Sequence, residues 1–347
     1  MADSLRQICV VIAAWNSGAT IGRAVRSALA QPEVGEVIVV DDASSDNTCR
    51  AAVTADDGSG RLHTIRLDEN RGPAFARNMA IRLSDSPYIA PLDSDDFFLE
   101  GRFARMDFAA SDWDVIGDNI LFVAGDDADA LLPGPAVAGD DATRLLSFTQ
   151  FVAGNLSKRG RPRGELGFLK PVMRRAFLTR HGIRYDEELR LGEDFELYAR
   201  MLALGARFGL RRECGYVAVE RGDSLSGNHR PEDLLAQVHA DDRLLLLPLS
   251  HGERAALLRH RRALLGKWHH RVFLSEKRRI GGGRTVIRSL ASPRKLTDAA
   301  IGIARDKLTA IAARRKPPAS GWPAPRFLMP PGKDREKIGP PARFPQS

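Results

Sequence analysis

The chain has 347 residues, 43% of them apolar, enough to bury one substantial core and carry an appendage. Its formal charge of +8 conceals two unlike parts: residues 1–250 hold 29 basic and 38 acidic groups, whereas residues 251–315 hold 17 and 4. Three widely spaced cysteines (Cys9, Cys49, Cys214) argue against a disulfide frame or a zinc site, and no apolar run approaches the ~18 residues that span a bilayer.

The first hundred residues alternate between two periodicities. Ile8 to Ile12 is a continuous apolar run, as in a strand covered on both faces of a parallel sheet. A helical pattern follows through Ile21, Ala24, Val25, Ala28 and Leu29. Glu36 to Val40 is a second strand ending at Asp41-Asp42, and Ser44-Ser45-Asp46-Asn47 offers caps for a helix near 47–55. Leu62 to Leu67 is a third strand, Pro73 to Leu83 a third helix, and Tyr88 to Leu92 a fourth strand. This βαβαβαβ order predicts an α/β fold with a mostly parallel sheet flanked by helices and right-handed crossovers. Ligands of such sheets bind beyond the carboxyl ends of the strands, where Asn16, Asp41-Asp42 and Asp93-Ser94-Asp95-Asp96 all fall.

The acidic tetrad carries the most chemistry. Three carboxylates within four residues repel one another unless a cation neutralises them, and a hard divalent ion with oxygen ligands suits that donor set. Such ions carry substrate phosphates on their open positions; a solvated acidic turn is the plain alternative. Asp42 is placed to accept from a nucleobase N–H, or is a turn residue. Gly72 permits a tight bend, and Arg77 on the following helix either approaches a phosphate or fixes the tetrad's loop.

Residues 125–165 hold weaker periodicity around an expected helix near 141–152. A clearer helix starts at Glu193-Asp194, with Phe195, Tyr198, Ala199 and Leu202 on one face, and ends at Gly205. Asp194 at that start is either an N-cap or a carboxylate kept ionised by the helix dipole. An apolar strand, Tyr216 to Val219, leads to Arg221, Ser224, Ser226 and His229. From 231 to 274 the pattern is helical, and after Gly281-Gly282-Gly283 another helix is expected near 294–315. Beyond Pro317 the Pro, Gly and charge content predicts disorder.

Together the segments Ile8 to Asn16, Val39 to Asp46, Asn70-Arg71-Gly72 with Ala76-Arg77-Asn78, Leu92 to Asp96, and Gly192 to Leu197 resemble the family 2 glycosyltransferases of GT-A fold over residues 6–225. The overall character is also similar to the glucosyltransferases of succinoglycan-type bacterial exopolysaccharide assembly. The resemblance implies a GT-A domain over 1–230, with a nucleotide-sugar half at 1–100 and an acceptor half at 101–230. It implies a UDP-sugar donor, UDP-glucose foremost, a lipid-linked saccharide acceptor, and Mg²⁺ or Mn²⁺. Carried over by position, Asp42 contacts the base, Asp93 lies near the ribose, Asp95 binds the metal and Asp96 supports the loop. Ala14, Asn16, Arg71, Arg77, Ser94 and Arg221 join the donor site, with His229 a second candidate metal ligand. Ala14 and Trp15 replace the proline and tyrosine usual there. Asp194, with Glu193 beside it, is the expected general base of an inverting transfer. The chain lacks the Gln-x-x-Arg-Trp motif and membrane spans of processive synthases, so addition of a single sugar is expected.

A nucleotidyltransferase would want a Gly-rich loop and lysine where this chain has Ala14-Trp15-Asn16-Ser17-Gly18. A catalytically degenerate assembly factor of the same fold is the non-enzyme alternative. The basic, apolar-laced segment 251–315 is read as part of a helical extension, 231–316, that meets an anionic membrane surface rather than nucleic acid. A cytoplasmic protein peripheral to the inner face of the cytoplasmic membrane is the resulting expectation.

Overall fold

The computed structural model describes residues 7–106, 112–125, 135, 142–156, 165–220, 230–290, 292–314 and 325–329. The chain forms two compact units, residues 1–222 with 324–347, and residues 223–323.

In the first unit, β1 (Ile8–Ala14), α1 (Ile21–Leu29), β2 (Val34–Asp41), α2 (Thr48–Thr54), β3 (Leu62–Arg66), α3 (Pro73–Leu83) and β4 (Tyr88–Pro91) follow the expected alternation. The four strands are parallel in the order β3-β2-β1-β4, with Val10 of β1 opposite Val37 and Ala90. Ile8 to Ile12 are fully buried, as a strand covered on both faces requires.

Beyond β4 the sheet becomes mixed. Its further elements are β5 (Phe97–Phe98), β6 (Val115–Ala124), β7 (Arg144–Leu145), α4 (Phe148–Gly154), β8 (Val172–Arg174), α5 (Arg175–Arg180), α6 (Glu193–Ala203), β9 (Phe208–Glu220) and β10 (Arg326–Phe327). The order continues β4-β8-β6-β9-β5, with β8 antiparallel to both its neighbours and β6 parallel to β9.

Three expectations are corrected here. The helix near 141–152 starts later, at Phe148, because Arg144-Leu145 pair with β9 and the Ser147–Gln150 capping box sets the first turn. The helical stretch 231–274 is two helices, α7 (Pro231–Leu244) and α8 (His251–Ile280). Pro248 sits between them, and Ser250 caps the second with Glu253. Within the tail expected to be disordered, Arg326 and Phe327 pair with Phe122 and Leu121 of β6.

The second unit is helical. In addition to α7 and α8 it contains α9 (Gly282–Leu290) and α10 (Pro293–Arg314). Leu234 and Val238 of α7 pack with Leu264 of α8. His260 meets Asp241 at 2.8 Å, and on the other side of α8, His269 meets Asp298 of α10 at 2.6 Å. Gly302 permits the close approach of α10, since a Cβ there would lie 2.3 Å from the His270 ring.

Candidate active site

The site lies at the carboxyl ends of β1, β2 and β4 and is closed by the start of α6. The loop after β1 turns on Asn16, a non-glycine residue at φ 50°, whose side-chain oxygen accepts from the Ser45 N–H at 2.8 Å and the Ser45 hydroxyl at 3.1 Å. The Asn16 N–H donates to Ser44 Oγ at 2.9 Å, so the β1 and β2 loops are stitched into one surface. Ala14 is 2% exposed; its carbonyl accepts from the Asp42 N–H, and it serves this surface by its backbone.

Asp42 is buried, and its two carboxylate oxygens accept from the N–H groups of Arg71 and Gly72 at 2.7 and 2.8 Å. Gly72, at φ 87°, makes that turn possible before α3. The Arg71 guanidinium lies 3.6 Å from the centre of the Phe75 ring, so its planar cation is spread on an aromatic face.

In the tetrad, each aspartate has a different environment. Asp96 accepts from the Tyr216 hydroxyl at 2.6 Å and the Val219 N–H at 2.9 Å, tying the loop to β9. Burial, and then the charges of Asp95 and Asp93, push the Asp96 carboxyl well above the usual carboxylate range. Asp93 turns the other way: it bonds Arg77 Nη2 at 2.8 Å and Lys170 Nζ at 2.9 Å. Burial would raise its pKa, but the attraction of Lys170 and Arg77 prevails and holds it at about 2. Ser94 shares a 2.7 Å hydroxyl–hydroxyl hydrogen bond with Ser17. Asp95 is half-buried, and its backbone carbonyl accepts from Arg23 Nη2 at 3.0 Å.

Glu193 and Asp194 reach the same place from the first turn of α6. Gly192, in a left-handed conformation, starts α6, and Asn78 of α3 holds the preceding loop through the backbone of Tyr185 and the Glu187 carboxylate. Arg77 Nη1 bonds Glu193 Oε1 at 2.8 Å. Lys170, just before β8, bonds Asp194 Oδ2 at 2.6 Å. Asp194 Oδ1 is buried without a hydrogen-bond partner, with Arg77 Nη1 3.9 Å away. Burial and then Asp194 push the Glu193 carboxyl up, despite Arg77. Three carboxylates therefore share two cations.

Asp42 and Asp93 on loops, Arg77 on α3, and Glu193 and Asp194 in the first turn of α6 thus belong to one unit. Arg77 is ion-paired with Asp93 of the tetrad's loop and with Glu193 at the start of α6. Arg221 and His229 lie outside the described residues. Among the described residues no cluster of three His, Cys, Asp or Glu side chains closes on a metal. The residues present still fit a hard cation, because the tetrad's donors are all oxygens and the like charge raising Asp96 is what a nearby cation would relieve. Lys170 escaped the sequence reading: it sits in Leu169-Lys170-Pro171, where an isolated lysine gives no signal of burial, and only the fold brings it to Asp93 and Asp194.

The model of glycosyl transferase family 2 matches residues 9–132. Succinoglycan biosynthesis protein ExoU of Rhizobium meliloti is 48% identical over 322 residues, 92% of each chain. A shorter match, 38% over 99 residues (28% of this chain and 39% of the relative), is to the Escherichia coli UDP-Glc:alpha-D-GlcNAc-diphosphoundecaprenol beta-1,3-glucosyltransferase WfaP. Among solved structures, residues 1–349 of Staphylococcus aureus TarS with UDP-GlcNAc superpose with a TM-score of 0.55 at 22% identity, covering 77% of this chain and 72% of that one. The mannosyltransferase PcManGT of Pyrobaculum calidifontis, with GDP-Man and Mn²⁺, does so at 0.52 and 17%, covering 88% and 84%. These two show a shared GT-A fold.

Proposed function

We propose that this chain, which belongs to glycosyl transferase family 2, adds one sugar, glucose from UDP-glucose, to a lipid-linked oligosaccharide in exopolysaccharide assembly, inverting the anomeric centre. One observation carries the chemistry: the Asp93–Asp96 loop and the Glu193-Asp194 pair, 97 or more residues apart in sequence, meet across Arg77 and Lys170. The donor and acceptor halves of a transfer need that meeting. ExoU and WfaP support the pathway, the glucosyl donor and the lipid-linked acceptor.

In this reading the surface joined by Asn16, Asp42 and the Arg71-Gly72 turn receives the nucleotide, with Ala14 behind it and Ser94 alongside. Asp93, pinned by two cations, borders the ribose. Asp95 would hold Mg²⁺ or Mn²⁺, which when bound neutralises the charge of the departing diphosphate. Asp194 Oδ1 takes the proton of the acceptor hydroxyl as that oxygen forms its bond to the anomeric carbon; the bond to the diphosphate oxygen breaks on the opposite side and UDP leaves. Arg221 and His229 remain candidate contacts of donor and metal.

The extension through residues 251–315 is assigned to an anionic membrane surface, where a lipid-linked acceptor resides. Its basic excess supports this, as do the exposed apolar side chains Val286, Ile287 and Leu290 on α9 and Ile301, Leu308 and Ile311 on α10. No helix among the described residues is long and apolar enough to cross a membrane.

The test incubates purified protein with a panel of nucleotide sugars, Mg²⁺ or Mn²⁺ and a membrane lipid extract, reading nucleoside diphosphate release and labelled lipid. UDP-glucose should be preferred, and Asp95→Asn and Asp194→Asn should each lower transfer by about 10²–10⁴-fold. Wild-type turnover in either variant removes that residue's role.

A further inference from the structure

We propose that Lys170 is a positioning residue that clamps the Asp194 carboxylate by one oxygen and joins it to Asp93, leaving Oδ1 as the atom that receives the acceptor's proton. This rests on the reading of Asp194 as the base. Lys170 is 6% exposed, and its Nζ bridges Asp194 Oδ2 at 2.6 Å and Asp93 Oδ2 at 2.9 Å. Its backbone is fixed as well: the Lys170 carbonyl accepts from Arg102 Nη2 at 2.6 Å, and Arg102 is itself buried against Asp118. Pro171 follows, so the lysine stem leaves a restrained backbone immediately before β8.

The clamp has a chemical consequence. A carboxylate free to rotate would present either oxygen to the acceptor; with Oδ2 held, Oδ1 is selected. That atom is buried and lacks a hydrogen bond, an unusual state for a native polar group and one that a substrate hydroxyl would satisfy. The groups facing Asp194 are Arg77 from α3, Asp93 from the loop after β4, Lys170 from before β8, Glu193 on its own helix, and the Tyr185 and Tyr198 rings. Among them Lys170 alone hydrogen-bonds the Asp194 side chain. Its loss should therefore impair the placement of the base while donor binding is kept, whereas a purely structural lysine would change the amount of folded protein and leave the turnover of the folded molecules intact.

The experiment compares Lys170→Met and Lys170→Arg in the full chain, with Mn²⁺, lipid extract and a range of UDP-glucose concentrations. Lys170→Met should lower kcat about a hundredfold, with the donor KM changed less than about threefold. Lys170→Arg should leave the donor KM equally close to wild type while kcat stays at least about tenfold reduced, because a guanidinium fork cannot occupy the same point. Wild-type kcat in either variant overturns the proposal, as does a rise in donor KM that matches or exceeds the fall in kcat. Should Lys170→Met fail to fold, Lys170→Arg decides by the same criteria. Asp194→Asn is assayed beside them: if it retains activity the base assignment has failed, whereas an inactive Asp194→Asn with a normal Lys170→Met refutes the clamp alone.

Discussion

Two buried charge clusters lie side by side in the first unit, and they are built to opposite ends. Arg102 and Asp118 form a charge-matched pair: Arg102 Nε and Nη2 reach the two oxygens of Asp118 at 3.1 and 2.7 Å, and the Gly215 N–H supplies a further donor, while Arg102 Nη1 is buried without a hydrogen-bond partner. The rings of Phe98, Phe103 and Tyr216 surround the guanidinium at 4.6, 5.2 and 5.2 Å. Charge is matched one to one. The neighbouring cluster sets Arg77 and Lys170 against Asp93, Glu193 and Asp194, and leaves one carboxylate oxygen with no hydrogen bond. Burial alone therefore does not mark a site. An unbalanced buried cluster does, because its unmet requirement is a ligand's opportunity.

The sharpest way to break this contrast is to remove a cation from each cluster. Arg102→Met strands Asp118 in the interior and should cost about 3–5 kcal/mol of stability. Reading the denaturant midpoint at unchanged slope separates this from a change of compactness. Arg77→Met should destabilise less than Arg102→Met, since Lys170 still pairs with both Asp93 and Asp194, while transfer falls further than any loss of folded protein explains. Equal stability losses with equal residual activity would show that the clusters do not differ.

The two clusters also differ in how legible they were. The first half of the unit was readable because β1, β2 and β4 each run into polar residues that no core would want: Asn16, Asp41-Asp42, Asp93 to Asp96. The second half hid its strands for the converse reason. β6 carries Gly117, Asp118 and Asn119 at its middle, which breaks the apolar period that announces a strand. Those polar residues are buried and satisfied only by distant partners: Asp118 by Arg102 and Gly215, Asn119 by the backbone of Met329. A one-dimensional pattern does not contain a partner 210 residues away. Lys170 was missed on the same ground, whereas Asp194 stood out as a candidate because a Gly-Glu-Asp helix start is a local signal.

Acid provides a milder probe of the open cluster. Asp93 is held at about 2 by Lys170 and Arg77, against an ordinary value near 3.8. Its folded-state value is depressed, so its contribution to stability is full above pH 4 and is lost as the pH falls through about 2. Asp93→Asn should flatten the acid limb of the stability curve in that window, measured by thermal melts between pH 2 and 5. An unchanged limb would mean that the ion pairs seen in the folded site contribute nothing there.

The smallest effects belong to a third disposition of charge, predominantly basic and carried by the helices of the second unit. The basic excess of residues 251–315 sits on helices whose apolar side chains Val286, Ile287 and Leu290 face water. Coulomb attraction to an anionic leaflet is worth about 1 kcal/mol per basic residue and is screened by salt. Apolar insertion is indifferent to salt, so the two contributions separate in one experiment. In flotation with vesicles containing anionic lipid, Arg284→Gln with Arg288→Gln should weaken binding mainly at low salt. Ile287→Ser with Leu290→Ser should weaken it at low and high salt alike. Binding to neutral vesicles as strong as to anionic ones would remove the role of charge. Charge in this chain would then be a device of its interior, where pairing is enforced, and its outer surface would be governed by apolar area alone.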